Sequence, residues 1–316
     1  MRRAWETVRT TSKVSVLERG KEIQAILGNH AHKDSSADLE ARFHGKGAGY
    51  DGYVMVCMGF RKKRSYIFSA ALEAERGGDG DAGGVGMKPI YEPKGKAKEY
   101  GDYALNIYTG CPHRCYYCFA PSVLRRDREK FHSDIRPRDG IVEATKAQLE
   151  REKITGQTIH LCFTCDPYPT GYDTTATREI IRLLKQHGNH VQILTKGDGS
   201  RDFDLLDGED WYGITYDGQC GGVYMPSDRW AYIYEAHGHG IKTWCSFEPV
   251  IDADRVLEAI ENCADILDRV KIGKLNYYPS KINWVDFGRA AEALCQRLGL
   301  DYYIKDSLRK EMEAHP

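Results

Sequence analysis

From residue 103 onward the chain alternates short β-rich runs with longer helical ones, and no other feature constrains its fold as tightly. YALNIY (103–108), TIHLCFT (158–164), HVQILT (190–195), WYGITY (211–216), IKTWCSFEPV (241–250), RVKIGKL (269–275) and LDYYIK (300–305) read as strands. IVEATKAQLEREK (141–153), TATREIIRLLKQHG (175–188), SDRWAYIYEAHG (227–238), ADRVLEAIENCADIL (253–267) and WVDFGRAAEALCQRLG (284–299) have helical composition and spacing; Gly188 and Gly299 close two of them. A βα unit run about six times implies a parallel sheet with helices outside it. That falls short of the eight units of a closed barrel, so the expected class is α/β, a partial, open (β/α)6 TIM-like barrel. Sites in such folds lie at the C-terminal ends of the strands. This rule selects the loop after the first strand, then Asp166, Lys196 and Asp217 after the next three, and Glu248 and Lys274 after the last two core strands.

Upstream, RGGDGDAGGVG (76–86) has little to bury and reads as a linker. Residues 1–86 are therefore expected to form an N-terminal extension, with a candidate strand at 53–60 and a short helix at 65–75, and residues 87–316 the barrel domain. No apolar run approaches the ~18 residues of a membrane span. The basic N-terminus lacks the apolar stretch of a secretory signal, so cytoplasmic residence is expected. With 45 basic and 46 acidic side chains, no global field marks a nucleic-acid or membrane binder.

The ten cysteines include two tight groups, Cys111/Cys115/Cys118 and Cys162/Cys165. In a chain read as intracellular, reduced thiols and metal ligands are favoured over disulfides. TGCPHRCYYCFAP (109–121) spaces its thiols Cys-x3-Cys-x2-Cys. Three thiolates hold three irons of a cubane and leave the fourth open to a chelating ligand, where a fourth cysteine would favour plain electron transfer. Structural zinc wants four Cys/His ligands in two pairs; His113 or His132 would have to complete that set, and the close spacing suits it poorly.

This segment resembles the three-cysteine motif of the radical S-adenosylmethionine (SAM) superfamily, including an aromatic, Tyr117, just before the third cysteine. CFTCDPYP (162–169), TREIIRLL (177–184), VQILTKG (191–197) and SFEPV (246–250) are similar to the branch around spore photoproduct lyase, and the resemblance covers about residues 88–316. It implies a [4Fe–4S] cluster on Cys111, Cys115 and Cys118 and SAM as cosubstrate. It also implies reductive cleavage of SAM to a 5′-deoxyadenosyl radical, with an external one-electron reductant of flavodoxin or ferredoxin type. By the same resemblance Tyr117 lies near the adenine, Asp166 receives the SAM amino group and Lys196 its carboxylate. The charges suit those roles, since a carboxylate pairs with an ammonium and a lysine with a carboxylate.

Cys162 and Cys165 form a CxxC within a strand and so face opposite sides, which argues against a second cluster. Cys165 is a candidate hydrogen-atom donor beside Asp166, weighed against a small buried side chain. Glu248 is a candidate contact to SAM or substrate, weighed against a helix cap or a lysine partner. The charged run at 125–138 is set between a phosphate contact and a solvated face. The branch suggests a nucleic-acid or nucleobase substrate, with a peptide or small molecule left open. Two rivals from other classes stand beside the enzyme: a non-catalytic zinc- or cluster-stabilised nucleic-acid-binding module, and an electron-transfer protein.

Overall fold

The computed structural model describes residues 87–219 and 226–314. The expected extension 1–86, with its strand, helix and linker, lies outside the described residues. Eight strands form one sheet in the order β1 to β8. They are β1 (Ile90–Tyr91), β2 (Tyr103–Leu105), β3 (Thr158–Leu161), β4 (His190–Thr195), β5 (Trp211–Thr215), β6 (Lys242–Phe247), β7 (Arg269–Ile272) and β8 (Asp301–Ile304). Strands β2 to β8 pair in parallel, each with its sequence neighbour, while β1 pairs antiparallel to β2. This is the expected open, partial barrel, one antiparallel edge strand larger than the sequence suggested.

Helices α1 (Ala120–Val123) and α2 (Arg128–Ser133) lie in the cysteine segment, and α3 (Ile141–Glu152) returns the chain to β3. The outer layer continues with α4 (Thr175–Gln186), α5 (Pro226–Gly238), α6 (Ala253–Cys263), α7 (Trp284–Leu298) and α8 (Asp306–Ala314). Each buries one stripe. In α4 the inward residues are Ala176, Thr177, Ile180, Ile181 and Leu184, the spacing of one helix face. The caps are encoded locally. The Asp252 carboxylate accepts from the Arg255 N–H to start α6, and Asn283 accepts from Val285 and Asp286 N–H to start α7. Gly299, at φ 68°, ends α7. The β4–β5 crossover holds only the 3-10 turn Ser200–Leu205.

Several expected elements are shorter than read. The run 103–108 leaves the sheet after Leu105, because the Asn106 side chain turns to accept the N–H groups of Phe163 and Thr164 at 2.8 and 3.0 Å. The run 158–164 stops at Leu161, where Cys162 takes a positive φ of 71°. The helix read at 253–267 breaks after Cys263 into a 3-10 turn. β7 stops at Ile272, so Lys274 lies in a loop.

The open side of the sheet is bridged by the 3-10 turn Gly95–Glu99 and Tyr100. Glu99 accepts from the Asp306 N–H at 2.9 Å, next to β8, while Tyr100 reaches inward. The Tyr100 ring packs on His160, Phe163 and Trp244 at centroid distances of 5.5, 5.6 and 6.1 Å. Lys271 is buried beside it and donates to the Glu99 carbonyl at 2.6 Å. Burial, then Lys305 and Arg269, bring the Lys271 ammonium down to about 8. The middle of the barrel is thus filled by an aromatic and charged plug.

Candidate active site

The cysteine loop is held from behind by α2. Asp127 caps this helix by accepting from the Lys130 N–H at 2.9 Å. The Arg128 guanidinium donates to the carbonyls of Cys115, Tyr116 and Cys118 at 2.5, 2.8 and 3.2 Å. His132 Nδ1 lies 2.7 Å from the Cys111 carbonyl, and Arg126 donates to the Thr109 carbonyl. Gly110 permits the contact, since a Cβ there would fall 2.2 Å from the Phe131 carbonyl oxygen. These arginines belong to the run 125–138. Arg126 and Arg128 turn in on the loop, where the sequence suggested a solvated face or a phosphate contact. Arg136 pairs with Asp139 at 2.7 Å at the surface.

At the mouth, the ends of β4 and β5 bring a cation and an anion against the loop. Lys196 Nζ donates to Cys115 Sγ at 3.4 Å and to the Tyr117 hydroxyl, and stands 3.4 Å from Asp217 Oδ2. The Tyr117 hydroxyl donates to the same Asp217 oxygen at 2.5 Å. Burial would raise the Asp217 carboxyl, but Lys196 and the Tyr117 hydroxyl hold it below its ordinary value. Asp217 was legible only as a strand-end position; nothing local announced its contact with Tyr117.

Asp166 is 6% exposed and has four partners. Oδ1 accepts from the Tyr168 N–H at 2.8 Å and from Thr195, and Oδ2 from the Lys196 N–H at 2.8 Å, with His113 Nδ1 at 3.3 Å. Burial opposes its charge, but His113 and these hydrogen bonds keep its carboxyl below the usual range. Asp166 thereby ties the β3 and β4 loops together. His113 Nδ1 also lies 3.4 Å from Cys111 Sγ, so the ring bridges the cysteine loop to Asp166.

The two remaining candidates stand in other networks. The Cys165 sulfur accepts from the Tyr108 N–H at 3.3 Å. Glu248 accepts from the Tyr100 hydroxyl at 3.0 Å and pairs with Lys305, whose ammonium lies 3.3 Å from Glu99. Burial pulls the Lys305 ammonium down, yet Tyr100 and Glu248 outweigh it and raise it. Glu248 thus takes the lysine-partner role among those weighed. Tyr100 itself carried no signal in the sequence.

Three cysteine thiols on one short loop are a donor set that an iron–sulfur cubane could take. One tetrahedral zinc would want four Cys/His ligands, whereas a cubane would seat each of the three thiolates on its own iron and leave the fourth open. Charge agrees. Burial, then Asp166 and the neighbouring thiols, push Cys111 well up, and burial raises Cys118. A cationic centre among the three sulfurs would reverse that.

Around this mouth lie all the large exposed hydrophobic side chains of the described residues: Tyr116, Phe119, Tyr172, Tyr277 and Tyr278. Tyr116 and Tyr278 meet edge to face at 5.5 Å. A cleft of about 450 Å³ opens beside them, bordered by Tyr116, Ile251, Asp252, Leu275 and Lys281.

No family model matches the chain. Uncharacterized proteins of Mycobacterium bovis and Mycobacterium tuberculosis are 31% identical to it over 100 residues, 30% of this chain and 29% of each relative. The match thus spans under a third of the length of these curated relatives. A point mutant of spore photoproduct lyase superposes with a TM-score of 0.53 over 67% of this chain and 78% of that one, at 12% identity. Spore photoproduct lyase complexed with dinucleoside spore photoproduct gives a TM-score of 0.52 over 68% and 79%, at 13% identity. The chain shares its fold with spore photoproduct lyase. Among the described residues no helix is long and apolar enough to cross a membrane.

Proposed function

We propose that the chain is a radical SAM enzyme whose [4Fe–4S] cluster is held by Cys111, Cys115 and Cys118. The observation that carries this reading is the meeting of that loop with Lys196 and Asp217 at the C-terminal mouth of a partial barrel. When bound, the cluster and SAM supply an electron transfer that yields methionine and a 5′-deoxyadenosyl radical, which takes a hydrogen atom from substrate.

The protein's own part is to bind, orient and keep water out. Lys196 and Asp217 are an ion pair beside Cys115, and a zwitterionic amino acid end would pair with both once their contact opens, ammonium to Asp217 and carboxylate to Lys196. Tyr117, tied to both, fixes their spacing and lends a ring face to the adenosyl moiety. Asp166 supports the site through the Lys196 backbone; for it to receive the SAM amino group directly, His113 would have to give way. Cys165 and Glu248 remain candidates for hydrogen transfer and substrate contact. The aromatic rim favours a flat substrate, and a nucleobase is the reading it supports best. An external flavodoxin- or ferredoxin-type reductant completes the scheme.

Anaerobic reconstitution tests the proposal. The expected result is about four irons per chain and formation of 5′-deoxyadenosine from SAM and dithionite, abolished in Cys115→Ala. One tightly bound zinc with no SAM cleavage, or turnover retained in Cys115→Ala, overturns it.

A further inference from the structure

The CxxC at 162–165 is not a strand segment. With β3 ended at Leu161 and Cys162 at φ 71°, the chain turns, and Asn106 clamps the turn through the N–H groups of Phe163 and Thr164. The turn takes the two thiols out of the extended geometry that would set them on opposite faces, and they lie close enough to influence each other's ionisation. Cys165 Sγ also accepts from the Tyr108 backbone N–H at 3.3 Å. A donor on this sulfur favours its anionic form: burial would raise Cys165, but Cys162 and the backbone N–H groups of Tyr108 and Ile107 leave it below its ordinary value. Cys162, in contrast, is buried at 6% exposure and pushed well up, while Cys165 keeps partial exposure. One sulfur is set up to attack and its neighbour to follow.

We propose that Cys162 and Cys165 form a reversible dithiol–disulfide pair, a modification site separate from the three cluster thiols. Cys165 is the attacking sulfur and Cys162 the resolving one. The oxidant is a low-molecular-weight disulfide. The Cys165 thiolate bonds to one of its sulfurs and expels a small thiolate. The Cys162 sulfur then bonds to Cys165 and expels the second small thiolate, which leaves with the Cys162 proton. The protein has lost two electrons and the small disulfide has become two thiols. Because Asp166 is the next residue, the bond is coupled to the loop that anchors His113 and the Lys196 N–H.

The test uses the full-length reconstituted protein, equilibrated anaerobically with mixtures of reduced and oxidised glutathione. Samples are quenched in acid, alkylated in denaturant and digested with trypsin. The tryptic peptide 154–178 carries Cys162 and Cys165 and no other cysteine. The expected product is this peptide unalkylated and about 2 Da lighter than its dithiol form. Its share should rise with oxidised glutathione and revert with dithiothreitol. In Cys162→Ser, glutathione should remain on Cys165. Alkylation of both thiols at every ratio, or a glutathione adduct as the stable wild-type product, overturns the pair. Glutathione on Cys162 in Cys165→Ser, with none on Cys165 in Cys162→Ser, overturns the assigned roles. If a serine variant fails to fold, the wild-type titration alone decides the pair.

Discussion

Replacing Arg128 with Ala should loosen the cysteine loop without unfolding the barrel. Its guanidinium donates to three loop carbonyls, at 2.5, 2.8 and 3.2 Å, and one of these bonds faces solvent. Shielded hydrogen bonds to a charged group contribute about 1.5–3 kcal/mol each, and exposed ones far less. The net loss is then about 3 kcal/mol, on the order of a hundredfold in the population of the ordered loop. Arg128→Lys should fall between, because an ammonium is a point charge that cannot span three carbonyls with a planar fork. The assay is iron release from anaerobically reconstituted protein challenged with a chelator, followed by visible absorbance, with circular dichroism of the iron-free protein alongside. The Ala variant should lose iron at least about tenfold faster, with an unchanged far-ultraviolet spectrum. Wild-type iron content and release rate in Arg128→Ala would refute the view that α2 braces this loop.

Three further outcomes follow from the geometry. Asp217→Asn should weaken SAM binding by about tenfold or more, since it removes the carboxylate proposed to receive the SAM ammonium; unchanged affinity by calorimetry removes Asp217 from the SAM site. Gly197→Ala should destabilise the fold by about 1–3 kcal/mol and impair SAM binding, because its Cβ would lie 1.9 Å from the Tyr168 carbonyl oxygen; a wild-type urea midpoint contradicts this. Burial, then Lys271 and Lys305, lower His160 from 6.5 to about 3. The folded state keeps this ring neutral while the unfolded chain protonates, so its contribution is complete above pH 6.5 and drains at about 1.4 kcal/mol per pH unit below it. Urea unfolding at pH 7, 6 and 5 should show that slope, and His160→Gln should flatten it; equal slopes in both would refute the assignment.

Residues far apart in sequence explain why some of this was unreadable. The run 125–138 has the composition of a wet surface, and composition does not report that Arg128 points at carbonyls 10 to 13 positions upstream. Cys162 and Cys165 were read on opposite faces because TIHLCFT has strand composition throughout. The turn depends on Asn106, more than 50 residues earlier, reaching across to the neighbouring strand. Tyr100 lay in no recognised element, yet its hydroxyl meets Ser246 at 3.2 Å and Glu248 at 3.0 Å across the barrel.

The sequence by itself determined the repeated βα pattern, the partial barrel and the three-thiol loop, because hydrophobic period, end signals and ligand spacing are local properties of a chain. It also assigned Asp166, Lys196, Asp217 and Glu248 to one end of the sheet, since parallel strands put all their exits on the same side. Only the tertiary structure decided which of these meet. Strand register set Lys196 and Asp217 against Cys115 and Tyr117 and saturated Asp166 with hydrogen bonds, while Glu248 met Tyr100 and Lys305. Contacts between side chains on different strands are fixed by packing across the barrel, which no local stretch encodes.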